Sequence, residues 1–111
     1  MTQVVISHIA QMLPKIVRVI PDADQVYSDD PRWQNISKEE RHIAFQIINR
    51  IAGQEFPVLK AEWEEGRLFY HLIIHPKFHI QDAFGLPMMI GYAFVPYEYV
   101  TVVKPGFWEA R

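Results

Sequence analysis

The sequence predicts an α+β fold in which two helices pack on one face of an antiparallel sheet of about four strands. Three observations support this prediction. Apolar residues repeat at helical spacing in two segments, apolar and polar residues alternate along a pair of segments joined by a short turn, and two further apolar segments precede the C-terminus. At 111 residues the chain has the commonest size of one domain, so we expect a single core for residues 1–111.

The composition is that of a folded domain. Half of the residues are hydrophobic and 14% are aromatic, which excludes a disordered chain. The lack of cysteine excludes disulfides, thiolate catalysis and cysteine-based metal sites. A net charge of −2, without long runs of either sign, gives no reason to expect a nucleic-acid partner. We find no secretory signal and no apolar run of about 20 residues, so we expect a soluble, cytoplasmic protein that does not enter a membrane.

The first predicted helix covers residues 3–13. Its apolar side chains recur at helical spacing as Val4, Val5, Ile9, Met12 and Leu13. Pro14 ends this helix, because a proline inside a helix removes a backbone donor and clashes with the preceding turn. The next segment, KIVRVI, is either a kinked continuation or a strand, and its β-branched residues favour the strand.

Residues 21–36 are predicted to form a long loop, because proline, aspartate, serine and asparagine accumulate there. Loops of this length are often functional. The aspartates supply oxygen ligands of the kind that Ca²⁺ or Mg²⁺ prefers, but they match no EF-hand spacing. We therefore expect them to form turns and not to bind a metal.

The second predicted helix, SKEERHIAFQIINRIAG, has the clearest signals in the chain. Ser37 and Glu40 form the S-x-x-E capping box, which satisfies free amides at a helix N-terminus. Gly53 supplies the left-handed residue that often follows a helix C-terminus. One arc of the helix is apolar and consists of Ile43, Ala44, Ile47, Ile48 and Ile51.

A β-hairpin is predicted next. Apolar and charged residues alternate from Leu59 to Glu64, and a two-residue turn at Glu65-Gly66 joins this strand to the next. The expected register sets Glu64 opposite Arg67, Trp63 opposite Leu68, Ala61 opposite Tyr70 and Leu59 opposite Leu72.

The remainder of the chain is predicted to complete the sheet. After Pro76, the segment KFHIQDAFG indicates one short helical turn closed by Gly85. Two strands, MMIGYAFV and YEYVTVV, follow and are separated by Pro96. Tyr97 and Tyr99 would then share one face of the last strand.

Three histidines, His71, His75 and His79, recur at steps of four. On a strand His71 and His75 share a face but lie roughly 13 Å apart, too far for one zinc ion, which holds nitrogen ligands at about 2.0–2.1 Å. Pro76 excludes a continuous helix that would stack the three rings. We therefore predict no metal and no cofactor. A small metal-dependent or His-based enzyme that uses these histidines with Glu62 remains an alternative.

The aromatic residues indicate function more strongly. The chain has three Trp, five Tyr and seven Phe, and a domain of this size encloses only part of them. Trp and Tyr are favoured anchors at protein interfaces. We predict a binding surface that consists of Trp33, Tyr97, Tyr99, Phe107 and Trp108.

The leading hypothesis is therefore a small non-enzymatic protein-binding module, an adaptor or inhibitor, whose partner is another protein or a second copy in a homodimer. A further alternative is a small-ligand pocket between helix and sheet. Its expected lining consists of Met88, Met89, Tyr92 and Phe94.

Overall fold

A computed structural model describes residues 13–105 of the chain. It confirms the predicted α+β architecture, although the antiparallel sheet has five strands and not about four. The elements in chain order are β1 (Ile16–Val19), α1 (Ala23–Asp29), α2 (Lys38–Ile51), β2 (Glu55–Glu64), β3 (Arg67–Gln81), β4 (Pro87–Pro96) and β5 (Val100–Lys104). Two short 3-10 helices, Pro31–Trp33 and Tyr97–Tyr99, precede α2 and β5.

The strands lie in the order β4-β3-β2-β1-β5, and each neighbouring pair is antiparallel. Strands β4 and β5 are thus opposite edges, yet only a 3-10 turn joins them. From Pro96 to Val100 the chain spans at most about 15 Å, at 3.8 Å per Cα step. Four gaps between flat strands, at about 4.8 Å each, would need about 19 Å. The sheet is therefore curled, which brings its two edges toward each other.

The segment KIVRVI forms β1, so the strand interpretation is confirmed. Val17 and Val19 are fully buried, while Arg18 between them is exposed, as strand alternation requires. The helix predicted for residues 3–13 lies outside the described residues, apart from Leu13.

The prediction of a continuous loop over residues 21–36 is wrong, because α1 occupies its first half. Ala23 and Tyr27 are four residues apart, so both lie on the same face of α1, and both are buried. The helix ends before Pro31, since the residue that precedes a proline disfavours the helical conformation. A single buried pair among many turn-forming residues is too weak a pattern to indicate a helix from the sequence.

Helix α2 is present as predicted. The Ser37 hydroxyl oxygen accepts a hydrogen bond from the Glu40 amide at 3.1 Å. Gly53 follows the helix with a φ of +78°. The predicted apolar arc packs into the core, where Ile48 and Ile51 are buried. Neither helix in residues 13–105 has the length and apolar character needed to cross a membrane.

The hairpin register is confirmed near the turn and wrong farther from it. Glu64 pairs with Arg67, Trp63 with Leu68 and Ala61 with Tyr70, as expected. At Leu59 the register shifts, so that Val58 and not Leu59 lies opposite Leu72. A bulge adds one residue to one strand and interrupts its alternation. Leu59 is consequently 51% exposed.

Strand β3 continues through Pro76 to Gln81, so the predicted helical turn after Pro76 is wrong. Phe78 and Ile80 pair with Ile90 and Met88 of β4, and burial of Ile80 and Ile90 favours the extended conformation there. Gly85, with a φ of +79°, lies in the turn between β3 and β4.

Candidate binding surface

The predicted anchor residues do not form one surface. Tyr97 and Tyr99 lie in a 3-10 turn and not in a strand, so their side chains diverge: Tyr97 is 52% exposed and Tyr99 is fully buried. Trp33 is partly buried and packs against the core. Phe107 and Trp108 lie outside the described residues. Tyr97 therefore carries the exposed part of the predicted surface within residues 13–105.

Trp33 and Tyr99 instead join a polar cluster around Asp30, whose side chain is only 4% exposed. Arg32 donates three hydrogen bonds to the Asp30 carboxylate, from its amide, Nε and Nη2, at 2.9 to 3.0 Å. The Tyr99 hydroxyl donates to the same carboxylate at 2.9 Å and accepts from Trp33 Nε1 at 2.9 Å. We call this group the Asp30 cluster, and it consists of Asp30, Arg32, Trp33, Arg67, Glu98 and Tyr99.

Charges in the Asp30 cluster are balanced. Arg67 Nη2 donates to Asp30 at 3.1 Å, and Glu98 accepts from Arg32 at 3.0 Å and from Arg67 at 3.3 Å. The hydrogen bonds from Arg32 hold the pKa of the Asp30 carboxyl well below its usual range, against the opposing effect of burial. Burial raises the pKa of Tyr99 to about 12. The cluster therefore links the end of α1, the start of β3 and the turn after β4, which is a structural role.

The histidines lie on an extended strand, as predicted. His71 Nε2 is 3.5 Å from Glu62 Oε2, within ion-pair distance for a protonated imidazole, but it makes no hydrogen bond within the described residues. Lys60 lies 2.7 Å from Glu62 and is the main cause of the lowered pKa of that carboxyl. In residues 13–105 no group of three or more His, Asp or Glu side chains is placed to hold a metal ion. Of the residues named in the histidine-based alternative, His71 and Glu62 lie close to each other.

Strand β4 carries four exposed apolar side chains. The exposed fractions are 38% for Met88, 54% for Met89, 63% for Tyr92 and 42% for Phe94. Within the described part of the chain β4 pairs only with β3, so its outer edge is open. None of its ten residues, PMMIGYAFVP, is charged. The sequence indicated these side chains as pocket lining; that their strand is an edge depends on the strand order, which no local pattern shows.

The turn that precedes β4 adds two exposed apolar side chains. Phe84 is 87% exposed and Leu86 is 59% exposed. The Asp82 carboxylate accepts hydrogen bonds from the amides of both residues at 2.9 Å, so the turn is held by local contacts. Two large apolar residues that flank Gly85 are the only sequence signal for this feature. We call β4 and residues 82–86 together the β4 edge surface.

A cleft of about 660 Å³ lies between α2 and the part of the sheet formed by β3 and β4. Ile43 and Ile47 of α2 line one side, and the stacked rings of Phe69 and Phe94, 4.5 Å apart, line another. Of the residues expected to line a pocket here, Tyr92 and Phe94 do so. Met88 and Met89 do not.

The described residues thus present two candidate sites. The β4 edge surface offers an open strand edge and exposed apolar side chains, which suit another protein chain. The cleft is partly enclosed and mainly apolar, which suits a small molecule. Comparison of the chain with protein-family models, with curated proteins and with solved structures found no significant match.

Proposed function

We propose that this protein is a protein-binding module that forms a homodimer through the β4 edge surface. The observation that supports the proposal is a ten-residue edge strand that has no charged residue and carries four exposed apolar side chains. An open strand edge pairs readily with another strand, because its amide and carbonyl groups lack partners.

Within residues 13–105, strand β4 lacks two common protections against such pairing, charged residues and a central proline. Edge strands of monomeric proteins are commonly short, carry charged residues or contain a central proline. In β4 the two prolines are the terminal residues, Pro87 and Pro96, and the eight residues between them contain neither proline nor charge. The strand is thus bounded at both ends and open between them, as expected for a pairing segment.

The absence of charge favours a second copy of the chain as the partner. In a two-fold symmetric, antiparallel pair, each strand meets its own sequence, so charged residues near the axis would meet like charges. No such repulsion arises for β4. The other edge strand, β5, has only five residues and ends at Lys104.

Antiparallel pairing of β4 with its copy also gives the turn at Phe84 a role. The start of one strand then lies beside the end of the other, so Phe84 of one copy is directed toward the Pro96 and Tyr97 region of the second. Both Phe84 and Tyr97 are exposed aromatic rings in the single chain. Their burial between copies would add an aromatic contact at each end of the paired strands.

The molecular mass of the purified protein, measured by light scattering, tests the proposal. We expect the wild-type chain to have twice the 13.1 kDa mass of one chain at micromolar concentration. Met89→Lys places a charge on the edge strand and should give the single-chain mass. Leu59→Lys is the matched control, because Leu59 has a similar exposed fraction but lies on β2, inside the sheet.

Three results would contradict the proposal. The wild-type chain could have the single-chain mass at all concentrations. The Met89→Lys variant could keep the wild-type mass. The Leu59→Lys control could dissociate as readily as Met89→Lys, which would indicate general apolar association and not pairing at the edge of β4.

A further inference from the structure

The cleft between α2 and the sheet combines apolar walls with acidic residues. Glu40 of α2 and Glu64 and Glu65 of the hairpin turn contribute to its lining. All ion pairs among residues 13–105 involve other acidic residues. No Lys, Arg or His nitrogen in this part of the chain therefore lies within 4 Å of these three carboxylates. The lining is thus negatively charged.

Arg32 does not neutralise that charge. Its guanidinium also lines the cleft, but it is bound by Asp30 at 2.9 Å and by Glu98 at 3.0 Å. These contacts, Asp30 first, raise the pKa of Arg32, and the two carboxylates offset its positive charge. Among the charged residues of the lining, the glutamates are therefore the ones without an ion-pair partner in residues 13–105.

Two aromatic rings of the region already have a cation of the protein beside them. The faces of aromatic rings carry partial negative charge and attract ammonium and guanidinium groups. The Arg67 guanidinium already lies 5.1 Å from the centre of the Trp33 ring and 5.6 Å from that of Phe69. Trp33 and Phe69 also line the cleft.

We infer that the cleft binds a small organic cation, a protonated amine attached to an aromatic or aliphatic body. The apolar body would lie against α2 and the Phe69 and Phe94 rings, and the ammonium group would face the glutamates. A volume of about 660 Å³ is within the range of pockets that hold ligands of this size. The cleft shares Tyr92 and Phe94 with the β4 edge surface, but the test residue of the proposed dimer, Met89, does not line the cleft, so the two proposals can be tested separately.

Paired probes of opposite charge test the inference. 1-Naphthylmethylamine and 1-naphthylacetate share one aromatic body, so the full chain can be titrated with each at pH 7 and followed by calorimetry and by NMR amide shifts. We expect one amine per chain, bound roughly tenfold more tightly than the acetate, from modest attraction by several exposed carboxylates. The shift changes should map to the cleft.

Substitutions separate charge from shape. The combined Glu40→Gln, Glu64→Gln and Glu65→Gln variant should lose the tenfold preference for the amine. Glu39→Gln is the control, because Glu39 is on the same turn of α2 but does not line the cleft. Ala44→Trp, which fills the cleft from α2, should abolish binding of both probes, with circular dichroism to confirm that the variant is folded.

Several results would overturn the inference. They are failure of the amine to bind, equal or tighter binding of the acetate, an unchanged preference in the triple variant, or retention of the amine by folded Ala44→Trp. Tighter binding of an apolar lysine-containing peptide than of the free amine would assign the cleft to a protein partner instead.

Discussion

The roles of three residues, Asp30, Trp33 and Tyr99, could not be predicted from the sequence. The sequence places Asp30 among turn-forming aspartates and the two aromatic residues among surface anchors. In the structure the Trp33 and Tyr99 side chains are hydrogen-bonded although 66 positions separate them in the sequence. Tyr99 is also hydrogen-bonded to Asp30, 69 positions away. No local pattern records such distant partners, so the Asp30 cluster becomes visible only when β3 and the turn after β4 are placed beside α1.

Asp30→Asn should destabilise the fold by about 3 kcal/mol at pH 7, because it removes the carboxylate that pairs with Arg32 and Arg67 in a nearly enclosed position. The pKa of Asp30 is lowered in the folded chain, mainly by Arg32. Its contribution is therefore complete above about pH 4, the ordinary value, and is lost as the pH falls toward the lower folded value. Urea unfolding at pH 7 and pH 3 measures both effects.

Asp29→Asn is the control for this prediction, since Asp29 is adjacent, exposed and bonded only to Gln25 within the described residues. It should change the free energy of unfolding little at either pH. A difference between Asp30→Asn and wild type that does not shrink from pH 7 to pH 3 would rule out the carboxylate as its source.

Tyr99→Phe should cost about 1–3 kcal/mol, because loss of the hydroxyl leaves the Trp33 indole N–H without its acceptor and removes one donor to Asp30. Tyr27→Phe provides the comparison. Tyr27 is buried too, but its hydroxyl is 3.5 Å from the Arg41 carbonyl, at the limit of a hydrogen bond. Urea unfolding of both variants should rank Tyr99→Phe as the more damaging, and equal losses would argue against the proposed role of the hydroxyl.

The helices and strands were predictable where their signals are local. Helix α2 has a cap, an apolar arc and a terminal glycine, and the hairpin has complementary pairs beside its turn, so both are present as predicted. Helix α1 and the bulge at Leu59 were not, because each depends on what the segment packs against. For the same reason, the run after Pro76 extends as a strand once β4 lies beside it.

The hairpin turn offers a substitution that should increase stability. Glu65 has a φ of +52° and Gly66 a φ of +77°, so both central residues have the positive φ typical of a type I′ turn. Glutamate is strained in this region, whereas asparagine tolerates it. Glu65→Asn should therefore raise the free energy of unfolding by about 1 kcal/mol, as measured by urea unfolding.

Gly66→Ala gives the opposite test of the same turn. A Cβ at position 66 would meet no atom within 4 Å, so any loss of stability comes from the backbone conformation alone. We expect a loss of about 1 kcal/mol. A stabilising Gly66→Ala, or a destabilising Glu65→Asn, would show that the turn does not have this conformation in solution.

The arrangement of the strands decides which residues can meet a partner. Fold class followed from the patterns of the sequence, but the strand order did not, because pairing between distant strands leaves no local periodicity. That order makes β4 an edge, and Met88 and Met89, which the sequence indicated as pocket residues, are exposed outside the cleft.

If the chain is a dimer, its thermal stability depends on concentration. Association that favours the folded state raises the melting temperature by mass action. We expect the wild-type melting temperature to rise by about 5 °C over a hundredfold increase in concentration. The Met89→Lys variant should show no such rise in differential scanning calorimetry. A wild-type melting temperature that is independent of concentration would contradict a dimer coupled to folding.

The 3-10 turn Tyr97–Tyr99 ties the end of β4 to the Asp30 cluster through Glu98 and Tyr99. That end of the strand is therefore ordered before any partner arrives. Association at an ordered edge avoids the entropic penalty of immobilising flexible side chains, about 0.5–1.5 kcal/mol for each one. A substitution that loosens this turn at the buried Tyr99 should consequently shorten the lifetime of the proposed dimer. The rate at which two chains associate should stay nearly unchanged.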